Sequence, residues 1–145
     1  FTREAVPYLR KSDCPRIINI SAANARQPGK FNPHYVVAKA GLIALGKVLA
    51  NELGKYGITV NTLCPSTLKG GGWEKNVKNR AEREGIREDL AEKIMEEEES
   101  KKTPLGRIGT PEDVARFVAF LASPLNNFVT GACINIDGGI ARSIF

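Results

Sequence analysis

The first sixteen residues contain no glycine, so no glycine-rich, phosphate-cradling turn precedes the first apolar run, Ile17 to Ile20. The later Gly70-Gly71-Gly72 has neither the G-x-G-x-x-G nor the P-loop spacing and reads as a hinge. Cysteine is scarce: Cys14, Cys64 and Cys133 are widely spaced, no C-x-x-C occurs, and His34 is the only histidine. Those numbers disfavour a disulfide framework and a zinc site, and make a reduced, cytoplasmic protein the expectation. No stretch approaches the ~18 consecutive apolar residues of a membrane span. The N-terminus lacks the charged, apolar and small-residue pattern of a signal peptide. There is no basic run with aromatic interleaving, so the net charge of +5 does not argue for a nucleic-acid partner.

What is present suits one globular domain. A chain of 145 residues, 42% hydrophobic and 26% charged, can bury a core. Thr2 to Lys11 reads as a helix with Val6 and Leu9 inward and Pro7 in or near its first turn. Arg16 to Ser21 reads as a buried strand ending in small polar residues. After a loop from Ala22, a helix from Pro33 to Gly54 carries Val37, Leu42, Leu45, Val48, Leu49 and Leu53 as its apolar positions. Ile58 to Leu63 is a second strand. The charged stretch from Trp73 to Lys101 suggests one or two amphipathic helices, broken at Gly85. Thr110-Pro111 opens a further helix to Ala122 by an N-cap followed by proline at the first helical position. Ala132 to Ile136 is the last strand. Alternating strands and helices imply an α/β fold with a largely parallel sheet.

Tyr35 and Lys39 carry the chemistry. Four residues apart on a helix, they share a face, which sets an ammonium beside a phenol. A free phenol titrates near ~10, and a neighbouring cation favours its ionised form. That pairing suits general acid–base work at an alcohol or carbonyl carbon.

Around this pair stand Ile17-Ile18-Asn19-Ile20-Ser21, Ile58 through Pro65, Pro104-Leu105-Gly106-Arg107, Val129-Thr130-Gly131 and Asp137-Gly138-Gly139. In this order and spacing, from Phe1 to Gly139, the chain closely resembles the C-terminal half or more of a short-chain dehydrogenase/reductase. The resemblance implies the C-terminal part of a doubly wound, Rossmann-like domain, a parallel sheet flanked by helices, with about a hundred residues and the glycine-rich turn lying upstream. It implies NAD or NADP as cofactor and a small alcohol or carbonyl compound as substrate, with no membrane partner. Tyr35 would be the proton donor and acceptor, and Lys39 its tuner and ribose anchor. The family serine, thirteen residues before the tyrosine, falls on Ala22; Ser21, one position earlier, is the candidate replacement, and Asn24 a substitute donor. Pro65, Ser66, Thr67 and Leu68 occupy the cofactor loop, where Ser66 replaces the usual glycine and Gly70 the usual threonine. Residues 66–104 correspond to a substrate loop and flap, in which Trp73 lines the pocket or anchors the flap. The small residues Ala40, Gly41, Ala44 and Gly46 would let helices approach closely in a homodimer or homotetramer. The competing expectation is a non-catalytic subunit or truncated remnant acting only through association.

Overall fold

The computed structural model describes residues 1–30, 32–70 and 72–142. Its centre is a parallel sheet in the order β1-β2-β3: β1 (Arg16–Ile20), β2 (Thr59–Pro65) and β3 (Cys133–Ile136). Ile17 lies opposite Val60, and Leu63 opposite Ile134. The middle strand β2 is buried at every position after Thr59, because helices cover both of its faces.

Helix α1 (Thr2–Leu9) and helix α2 (Pro33–Leu53) lie on one side of the sheet. There Ala50, Leu53, Ile58 and Val60 form a core, with Val6 and Leu9 packed on it as the sequence anticipates. Pro7 sits beyond the first turn of α1 rather than within it; it lacks an N–H, and the exposed helix tolerates the lost bond. Helix α5 (Pro111–Ala122) covers the other side, where Leu63, Val114 and Leu121 meet Ile18, Ile134 and Ile136. Each fully buried leucine there contributes ~1.5–3 kcal/mol. Asp113 accepts from the Thr110 backbone N–H at 2.9 Å, closing the expected N-cap.

Helix α2 ends at Gly54 as expected, although that C-cap keeps right-handed helical angles; one 3-10 turn follows, and the chain turns at Gly57, with φ +71. One feature of α2 departs from expectation. Its sheet-facing surface is built from Gly46, Ala50 and Leu53, while Val37 (71% exposed), Leu45 and Val48 look outward. Gly46 is the reason: a Cβ there would lie 2.5 Å from Thr62 Oγ1 and 3.0 Å from Asn19 Nδ2. Close approach of helix to sheet uses that glycine, whereas Gly41 has open space around it.

The charged stretch forms α3 (Gly72–Glu84) and α4 (Glu88–Lys102), with Gly85 at φ +66 between them. This hairpin has its own small core of Trp73, Val77, Ala81, Ala91 and Ile108. Arg80 ties the two helices through Glu98 on α4, while also pairing with Glu84 on its own helix. Of the glycine run, Gly70 is left-handed (φ +125), Gly72 begins α3, and Gly71 lies outside the described residues. No described helix is long and apolar enough to cross a membrane.

Candidate active site

The carboxyl ends of β1 and β2 and the first turns of α2 and α3 enclose a cleft of about 610 Å³. Parallel strands leave such a crevice where their helices diverge. Tyr35 stands at its mouth, 42% exposed, and Lys39 lies one turn further along the same helix face. The Lys39 Nζ is 5.7 Å from the centre of the Tyr35 ring, within range of a cation–π contact. Its one hydrogen bond among the described residues goes to the Ile20 carbonyl, at 2.8 Å, and no carboxylate pairs with it there. The ammonium therefore keeps donors and charge available to a ligand.

Ser21 and Ala22 occupy adjacent positions of extended chain and so diverge. Ser21 is 4% exposed, its backbone N–H extends the ladder to Leu63, and its hydroxyl donates to the Lys39 carbonyl at 2.8 Å. Ala22, with φ −156 and ψ 151, is 8% exposed and lines the cleft with a methyl group. Asn24 also lines the cleft and is exposed. On the opposite wall run Pro65, Ser66, Thr67 and Leu68. The Ser66 N–H donates to Ile136, which prolongs the sheet beyond β2, and Leu68 bridges to Gly109. The Thr67 hydroxyl donates to Glu99, tying this loop to α4.

Trp73 combines both expected roles. It touches the cleft, yet is 4% exposed within the hairpin core, and its indole N–H donates to Glu92 at 3.2 Å. His34 is exposed at the start of α2. The structure adds Lys69 and Asn76 to the lining. Sequence alone marks neither, because a charged helix and its approach offer many equivalent polar side chains. Lys69 is neutralised by Glu96 at 2.8 Å.

Beneath the cleft the three strands bring distant residues together. Cys64 and Cys133, widely spaced in sequence, have sulfur atoms 3.5 Å apart, and both are free thiols. Burial, and then the neighbouring Cys133, pushes the Cys64 thiol up to about 12. The Arg26 guanidinium donates to Asn135, holding the loop after β1 against β3.

The short motifs further along have structural work. The Arg107 guanidinium grips Asp113 through both carboxylate oxygens and holds its carboxyl well below the usual range. Asp137 accepts from the N–H groups of Gly139 and Ala141, and the left-handed Gly138 and Gly139 pack against Thr103 and Pro104. Val129-Thr130-Gly131 runs beside β2: the Val60 N–H donates to the Thr130 hydroxyl, and Asn61 holds Val129 and Ala132.

Comparison with known proteins accounts for the arrangement. Residues 1–141 match a family model described as enoyl-(acyl carrier protein) reductase. The 3-oxoacyl-acyl-carrier-protein reductase of Rickettsia conorii is 39% identical over 95% of this chain and 51% of its own length. The aldohexose dehydrogenase of Thermoplasma acidophilum superposes with a TM-score of 0.88 at 32% identity, over 99% of this chain and 55% of that one. L-sorbose reductase from Gluconobacter frateurii, solved with NADPH and L-sorbose, gives 0.90 at 29% identity, over 99% and 53%. The chain thus spans about half the length of the relatives it matches. With its parallel sheet, its covering helices and a match along nearly all its residues, this chain belongs to the short-chain dehydrogenase/reductase family.

Proposed function

We propose that this chain forms the part of an NAD(P)-dependent oxidoreductase that interconverts a secondary alcohol and its ketone. The observation that carries the reading is the Lys39 ammonium, with no carboxylate partner among the described residues, beside an exposed Tyr35 phenol at the mouth of the cleft. Tyr35 gives a proton to, or takes one from, the substrate oxygen, with the Lys39 ammonium standing beside its ring.

The donor set fits the nicotinamide-ribose end of a dinucleotide. Lys39 and Tyr35 would hold the ribose, while Pro65, Ser66, Thr67 and Leu68 would flank the ring from the opposite wall. When bound, the nicotinamide supplies the hydride chemistry. The support from relatives is direct in one case, since the sorbose reductase of similar fold was solved with NADPH and its sugar. Asn24 and Trp73 face the space left for substrate. A subunit acting only by association has no use for an ammonium and a phenol at an open cleft.

The test is Tyr35→Phe in the full-length gene product. Turnover should fall about 10²–10⁴-fold, the range for general acid–base catalysis, with dinucleotide affinity nearly unchanged. A Phe variant that keeps wild-type activity refutes the role of Tyr35. We further propose self-association in pairs or fours through the outward stripe of Val37, Gly41, Leu45 and Val48 on α2. Light scattering showing a clean monomer of the full-length protein would overturn that.

A further inference from the structure

We infer that Ser21 is a positioning residue for Lys39: its hydroxyl, bonded to the Lys39 carbonyl, fixes the helix turn from which the ammonium reaches the Ile20 carbonyl. This inference rests on the reading of Lys39 given above.

Two hydrogen bonds of 2.8 Å run in opposite directions between one residue of α2 and two consecutive residues at the end of β1. The Ser21 hydroxyl donates to the Lys39 backbone, and the Lys39 ammonium donates to the Ile20 backbone. Together they close a ring that determines both ends of the lysine. A lysine side chain has four rotatable bonds and is held poorly by one contact at its tip. Fixing its backbone relative to the acceptor removes most of that freedom. The Lys39 carbonyl has two lone pairs, so it accepts the serine without giving up its helical bond.

The direction of Ser21 is set by the sheet. Its N–H still pairs with Leu63, so its side chain falls on the same face as Asn19, toward α2, and it is buried there. Gly46, two helical turns beyond Lys39, brings α2 against Asn19 and Thr62. The helix is thus pinned at two points of one face, by close packing at Gly46 and by a hydroxyl at Lys39. The neighbour of Ser21, Ala22, offers the cleft only a methyl, while Ser21 and Asn24 also line it.

Three variants of the full-length protein separate positioning from donation to substrate. The first readout is acylation of Lys39 by an N-hydroxysuccinimide ester, followed by peptide mass spectrometry without cofactor or substrate. Ser21→Ala should raise Lys39 labelling about three- to ten-fold relative to Lys55, the scale of one neutral hydrogen bond. Ser21→Thr should restore it. In the second readout, Ser21→Ala should weaken NADPH or NADH binding by a similar factor and lower kcat with little change in substrate KM. Ala22→Ser should raise kcat, by adding a donor where the wall has a methyl, without altering Lys39 labelling. Unchanged Lys39 labelling in Ser21→Ala overturns the inference. So does a 10²–10³-fold loss of kcat at unchanged cofactor affinity, the mark of a lost oxyanion donor. Should Ser21→Ala fail to fold, Ser21→Cys, with a weak donor of similar size, takes its place with intermediate labelling expected. If labelling changes as stated but wild-type protein binds no dinucleotide, positioning stands and the oxidoreductase reading fails.

Discussion

The two faces of the sheet are built from different chemistry. Under α5 the strands offer Ile18, Leu63, Ile134 and Ile136, and the helix answers with Val114 and Leu121. On that face the buried polar side chain of β2, Asn61, has its carboxamide occupied by Val129 and Ala132. On the face toward α2 the same strands offer Asn19, Ser21, Thr62, Cys64 and Cys133 alongside the apolar Ile17 and Val60. Hydrocarbon contact is non-directional and tolerates small shifts. On this side the Ser21 hydroxyl has a fixed partner on α2, the Lys39 carbonyl, and together with the close packing at Gly46 it holds the helix at one height and one rotation. The oily face supplies stability, while the polar face supplies the placement of Tyr35 and Lys39. That placement has a cost: Asn19 Nδ2 is buried without an acceptor among the described residues, a deficit of ~1–3 kcal/mol.

The division can be broken by substitution. Leu121→Ala should have the largest effect on stability, ~2–5 kcal/mol in urea titration, while turnover per folded molecule stays within about two-fold. Gly46→Ala should cost ~1–3 kcal/mol, because the new methyl meets Thr62 and Asn19. Unlike the leucine change it should also lower turnover, since α2 must lift. Equal losses of turnover in both variants would show that the faces are not separable.

A further prediction concerns pH and Cys64. Its folded thiol titrates near 12, above the ~8.5 of an unfolded one, so the protonated form is favoured by folding. The resulting stability is full below about pH 8.5 and is lost as pH rises toward 12. The difference in unfolding free energy between wild type and Cys64→Ala should therefore shrink across that window. A constant difference would mean that Cys64 is not buried as described.

The sequence announces the oily face plainly. Alternating strands and helices, the Thr110-Pro111 cap and the break at Gly85 all appear in the structure where the pattern places them. It misleads on α2, because burial there follows Gly46 and Ala50 rather than the larger Val37 and Val48. A helix pressed close to a sheet selects for the absence of side chain, which no hydrophobic count detects. At the cleft, Tyr35 and Lys39 are legible from their four-residue spacing. The direction of the Ser21 hydroxyl is not, since it depends on whether the strand ladder persists one residue past Ile20. Lys69, Asn76 and the contact of Cys64 with Cys133 arise only when separate segments meet.

The helical hairpin of α3 and α4 also bears on how the chain assembles. Strands β2 and β3 pair across a long stretch, and parallel pairing of distant segments is slow because the intervening chain must first lose its freedom. The hairpin can form from neighbours alone, around Trp73, Val77, Ala81 and Ala91. Once formed, it folds much of that stretch into a compact unit and shortens the loop that β3 must close. A segment placed to shape the cleft thereby also speeds the arrival of the last strand.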